Sequence, residues 1–173
     1  MKRLLAPLLA AFAAAVAPAA PLTLVKSSSV VADSVSTANP KALPGATVDY
    51  ALMVTNPVAN GIAPVGSIAI TETIPATVKL RIADYGASGS GPVEFGDGSL
   101  LGTGLLATGL AYRFTSLASA SDGLEFSDGS SWAYVPVADA AGCDAHVRAI
   151  RVTMTGTHAA GTSFRLRYRV QVN

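Results

Sequence analysis

Within Thr162–Val172 polar and apolar side chains alternate without a break from Ser163 onward. Phe164, Leu166, Tyr168, Val170 and Val172 share one phase, and Arg165, Arg167, Arg169 and Gln171 share the other. Successive Cβ atoms of a strand point to opposite sides, so this period predicts a strand with one buried and one wet face. The same pattern returns in Thr47–Thr55, where Val48, Tyr50, Leu52 and Val54 fall in phase. Pro44-Gly45 opens that strand and Asn56-Pro57 closes it. Ser67–Ile74 follows with Ile68 and Ile70 on one face, ended by Pro75, which lacks a backbone donor.

Shorter strands are predicted elsewhere. Leu22–Val31 is strand-like, Val78, Leu80 and Ile82 alternate with Lys79 and Arg81, and His146–Thr155 carries Ile150, Val152 and Met154 in phase. Thr157–Gly161 is expected to make the turn between the last two strands. Glu94-Phe95-Gly96-Asp97-Gly98-Ser99 is echoed by Glu125-Phe126-Ser127-Asp128-Gly129-Ser130, two places where Asp-Gly suits a tight turn with positive φ. Tyr85–Pro92 reads as a flexible glycine-serine loop, and Ser99–Leu110 as an apolar connection over one end of the core. No amphipathic helix competes with these strands. The expected fold is all-β, a two-sheet antiparallel β-sandwich that buries many one-sided strands at once.

The first nineteen residues read separately. Lys2 and Arg3 precede an apolar run from Leu4 to Val16 and a small-residue Ala17-Pro18-Ala19 site, the layout of a secretory signal peptide cut before Ala20. Residues 1–19 are therefore expected to be a signal peptide and 20–173 a single domain. No later apolar stretch reaches spanning length, so the mature chain is expected to have no transmembrane anchor. Twelve Lys and Arg, less Lys2 and Arg3, leave ten against eleven acidic residues, a mature charge of −1. That balance gives no general attraction to nucleic acid. Cys143 is the only cysteine, so no disulfide closes within the chain; it is a candidate for a bridge between two chains.

The segment PGATVDYALMVTNP with SIAITETIP resembles the conserved-repeat domain of bacterial surface and secreted proteins, matching at Pro44, Gly45, Tyr50, Val54, Thr55, Asn56, Glu72, Thr73, Ile74 and Pro75. The Asn56-Pro57 pair and Glu72 depart from the usual residues there. DGLEFSDGSSWAYVPV, GCDAHVRAIRVTMTG and GTSFRLRYRVQV resemble the continuation found in longer single-copy members from Gram-negative bacteria. The resemblance implies an immunoglobulin-like sandwich used in cell-envelope or extracellular architecture, with no catalytic motif to transfer.

Several constellations bear on chemistry. Cys143, Asp144 and His146 are close in sequence, but a single cysteine and two histidines fall short of a zinc pattern, and a cysteine nucleophile would need His146 as base. No Gly-x-Ser-x-Gly elbow occurs. Glu94, Asp97, Asp122, Glu125, Asp128, Asp139 and Asp144 are the acidic loop residues from which a calcium site would have to be assembled. Arg148, Arg151, Arg165, Arg167 and Arg169 would form one basic interaction face if the last two strands paired as a hairpin; outward arginines also simply keep a sheet soluble.

The expectation is thus a non-enzymatic exported module, structural or adhesive, at the cell surface or in the extracellular matrix, with the periplasm as another location. It calls for no cofactor, metal or catalytic residue. Its partners would be cell-envelope components or copies of itself. One alternative is a self-assembling filament or matrix subunit in which Leu22–Val31 or the C-terminal strand adds to a neighbour's sheet edge. Another is a secreted hydrolase with an unrecognised site.

Overall fold

The computed structural model describes residues 19–36, 38–61, 65–98 and 106–173. The expected signal peptide lies almost wholly outside them, as does most of the expected apolar connection from Ser99 to Leu110. The strands are β1 (Thr23–Ala32), β2 (Thr47–Thr55), β3 (Val65–Thr73), β4 (Val78–Arg81), β5 (Val93–Asp97), β6 (Leu110–Ala111), β7 (Leu124–Ser127), β8 (Cys143–Asp144), β9 (Ala149–His158) and β10 (Ser163–Val172). The only helical turn among the described residues is a 3-10 turn at Val58–Asn60. No helix there is long and apolar enough to cross a membrane.

Two antiparallel sheets form. The first runs β1-β2-β10-β4-β8, with β5 also on β10; the second runs β3-β9-β6, with β7 also on β9. Their inward faces share one core, built from Val48, Leu52, Val54, Leu80, Phe164, Leu166, Tyr168 and Val170 of the first and Ile68, Ile70, Leu124, Phe126, Ile150, Val152 and Met154 of the second. This is the arrangement expected of a sandwich, and the alternating residues of β2, β3 and β10 supply much of its centre. Tyr50 and Tyr168, opposite each other on β2 and β10, stack with ring centroids 5.3 Å apart.

β10 is the spine of the first sheet. One of its sides pairs with β2 from Ser163 to Gln171; the other pairs with β5 through Phe164–Tyr168 and then with β4 through Val170–Val172. The C-terminal strand therefore has no free edge to offer a neighbour. Nor does it pair with β9. The chain leaves the second sheet at His158 and enters the first at Ser163, so the hairpin that a single basic face would have required is not formed. Alternation shows which side of a strand is buried; it does not show which sheet the strand joins.

The crossing is pinned by buried polar groups. Asn56, fully buried where β2 ends, donates its backbone N–H to Thr162 O at 3.0 Å and its side-chain amide to His158 O at 2.7 Å, while its carbonyl accepts from Gly161 N at 2.7 Å. Asn60 in turn donates to Asn56 Oδ1 at 2.6 Å. The residue read as a strand stop is thus also the hub joining the end of β2 to the β9–β10 connection.

The glycines of both Asp-Gly pairs have the anticipated positive φ, 65° at Gly98 and 96° at Gly129. The Tyr85–Pro92 loop is more ordered than its composition suggests. Asp84 accepts from Gly89 N at 2.9 Å and Gly91 N at 2.7 Å, and Phe114 packs where a side chain on Gly91 would stand.

Candidate functional site

The five candidate arginines are divided by the fold. Arg151 lies on β9 in the second sheet, with Arg148 just before it, whereas Arg165, Arg167 and Arg169 occupy the outer face of β10 in the first. Most are engaged. Arg151 pairs with Glu125 at 3.1 Å and stacks on Trp132, 3.9 Å from the ring centroid; Arg148 donates to Ala145 O at 2.7 Å. Arg167 meets Glu94 directly across on β5 at 2.5 Å, and Arg169 meets Asp49 directly across on β2 at 2.6 Å. Arg165 differs, its buried Nε lacking a hydrogen-bond partner. Four of the five act first as fasteners of this structure, which leaves no continuous basic face spanning the last two strands.

Tyr85 completes the outer cluster. Its hydroxyl donates to Asp49 Oδ2 at 2.7 Å, and the guanidinium groups of Arg167 and Arg169 lie 4.9 and 5.0 Å from its ring centroid. Burial and the bond to Asp49 push the phenol up to about 12. Burial pushes the Asp49 carboxyl upward, but the hydrogen bonds from Arg169 and Tyr85 and the nearby arginine charges outweigh it and hold the group below its ordinary value.

The Cys143, Asp144 and His146 constellation is organised by its aspartate. Asp144 is buried and accepts from Tyr134 Oη at 2.8 Å, Val137 N at 2.8 Å and His146 N at 2.7 Å, so it ties the loop before β8 to the chain after it. Burial pushes its pKa up, and these bonds more than reverse that. The Cys143 sulfur is buried and lies 3.8 Å from Ala141 O; burial and the charge of Asp139 push its thiol up, the reverse of what activates a nucleophile. A bridge between chains would first require uncovering that sulfur. The His146 ring is largely exposed and turns to Asp144, 3.3 Å away.

The acidic loop residues are likewise engaged separately. Asp97 accepts from Thr108 N, Asp122 from Thr115 and Leu124 N, Asp128 from Ser130 and Ser131 N, and Asp139 from Lys79 and Cys143 N. Among the described residues no three His, Cys, Asp or Glu side chains gather so as to hold a metal ion.

What remains open is a strand edge. β1 pairs with β2 along its length and, among the described residues, with nothing on its other side. Nine of its ten side chains are exposed, including Leu24, Val25 and Val31. Its one charge, Lys26, reaches Glu72 of β3 across the rim of the sandwich and lies 5.1 Å from the Tyr50 ring centroid. The sequence located this strand but carried no sign that it would lie outside the core. Compared with known protein families, with curated proteins and with solved structures, the chain matches none.

Proposed function

We propose that this chain is an exported, non-enzymatic structural or adhesive module of the bacterial cell surface or extracellular matrix, an immunoglobulin-like sandwich of the conserved-repeat type. The observation that carries the reading is β1, a ten-residue strand presented beside a complete core with one backbone edge unpaired among the described residues. Such an edge is an attachment device: main-chain donors and acceptors give affinity to an added strand, and exposed side chains give it selectivity. The strand carries little of the core, so it is available for contact without loss of the fold.

Export is supported by the leader-like first nineteen residues. Asn60 accepts from Ala20 N at 2.7 Å and donates to Ala20 O at 3.0 Å. Cleavage before Ala20 would leave an amino group still able to donate to Asn60. Fractionation of an expressing bacterium, with intact-mass measurement, tests the proposal. The expected result is a chain beginning at Ala20 in the surface or extracellular fraction; an uncut chain retained in the cytoplasm would overturn it.

A further inference from the structure

We propose that β1 is a homodimer interface, pairing antiparallel with β1 of a second copy about a two-fold axis at Ser27, so that the two first sheets become one continuous sheet. The proposal rests on the reading above, in that it names the partner of the open edge. The contrast among edges carries it. Native sheets protect their edges by shortening them, bulging them or charging them. Here β6 and β8 have two residues each, β7 four and β5 five. The long edge strand of the second sheet, β3, is interrupted by a register shift between Gly66 and Ile68, with Ser67 at φ 36°. β1 is long and contains no proline, and its own register shift falls at its far end, between Val30 and Ala32. Lys26 does not guard the edge as a free charge, because it is paired with Glu72.

The strand's sequence selects a second copy and a register. In a two-fold antiparallel pair, facing residues must share a sheet face, so the axis passes through one residue. An axis at Lys26 would crowd the two lysines, each held by its own Glu72, and face Leu24 with Ser28 and Val25 with Ser27, apolar against polar. An axis at Ser28 would run the pairing into the irregular end of β1. An axis at Ser27 uses the regular Thr23–Val30 stretch and faces Leu24 with Val30, Val25 with Ser29 and Lys26 with Ser28. It places apolar against apolar on the inward side, and neither Lys26 directly faces a like charge.

Two single substitutions test this in the purified protein, whichever fraction of the cell it comes from. The native protein is expected to show a monomer–dimer equilibrium by sedimentation over micromolar to millimolar concentrations. Ser27→Arg, which sets like charges together at the axis, is expected to weaken the dimer about tenfold. Ser27→Cys is expected to form a disulfide-linked dimer much faster than Ser121→Cys, an exposed loop control. A strict monomer, open-ended filaments, a dimer indifferent to Ser27→Arg, or cross-linking no faster than the control would each overturn the proposal. Fractionation decides the exported-module reading separately, so failure of one is distinguishable from failure of the other.

Discussion

Arg169 of β10 and Asp49 of β2 stand directly opposite each other, and the guanidinium Nε and Nη2 donate to the two carboxylate oxygens at 2.6 and 2.9 Å. The pair clamps the two central strands of the first sheet on its outer face, with Tyr85 donating to the same carboxylate. Its geometry is two-pronged and both groups are mostly shielded, which sets it apart from the usual exposed ion pair.

Asp49→Asn is therefore expected to destabilise the fold by about 1–2 kcal/mol, more than an exposed pair would contribute. Denaturant unfolding of Asp49→Ala, Arg169→Ala and the double variant should give a coupling of about 1 kcal/mol. The carboxyl's folded pKa lies below its ordinary 3.8, so the contribution is complete above that value and lost as pH falls through the folded value. The double variant should lack this part of the acid sensitivity.

His158 predicts a second pH dependence, at milder acidity. Its ring is fully buried, Nε2–H donates to Thr162 O at 3.0 Å, and Nδ1 has no hydrogen-bond partner. Burial lowers its pKa below the ordinary 6.5, so the folded state resists a proton that the unfolded state accepts. Stability from this group is complete above 6.5 and falls as pH drops from there toward the folded value. Thermal melts between neutral pH and pH ~5 should show this decline. His158→Gln should be less stable at neutral pH but flatter across that window; an unchanged slope would count against the assignment.

The same residues show what could be read from the chain alone. The alternation in Thr162–Val172 and Thr47–Thr55 revealed two strands and most of their inward residues, because strand period and burial express the same geometry. It could not reveal that β9 and β10 lie in different sheets, since a strand's pattern is blind to its neighbours. That separation is what divided the arginines. β6 and β8, two residues each, are too short to have a period. β1 looked ordinary in sequence because Leu24 and Val25 have the same composition whether covered or bare. The roles of Asp144 and Asn56 arise from contacts across loops, which no local pattern encodes.

Cys143 should be slow to react. With its sulfur covered and its thiol pushed up by burial, alkylation of the folded chain at neutral pH should run roughly a hundredfold slower than in denaturant, because access requires local opening. Mass spectrometry of iodoacetamide-treated protein measures this directly. Rapid labelling of the folded chain would show that the β8 region opens readily, and would make a bridge between chains accessible without unfolding.

Asn56 and its neighbour Thr55 offer a graded test of the crossing between sheets. Thr55 contributes a single half-buried bond, its hydroxyl meeting Ser163 Oγ at 2.7 Å. Asn56 has a fully buried side chain bonded to both His158 O and Asn60. Removing the amide leaves a carbonyl and an amide donor short of a partner in the interior, and an unmade buried bond costs more than an exposed one. Asn56→Ala should cost ~2–3 kcal/mol and Thr55→Ala about 1 kcal/mol or less, by equilibrium denaturation. Asn56→Asp should be no better than Asn56→Ala, because it keeps an acceptor for Asn60 but turns a carboxylate toward the His158 carbonyl. Near-equal effects of Asn56→Ala and Thr55→Ala would mean that the β9–β10 connection is held chiefly by its backbone bonds to Thr162 and Gly161 rather than by the asparagine side chain.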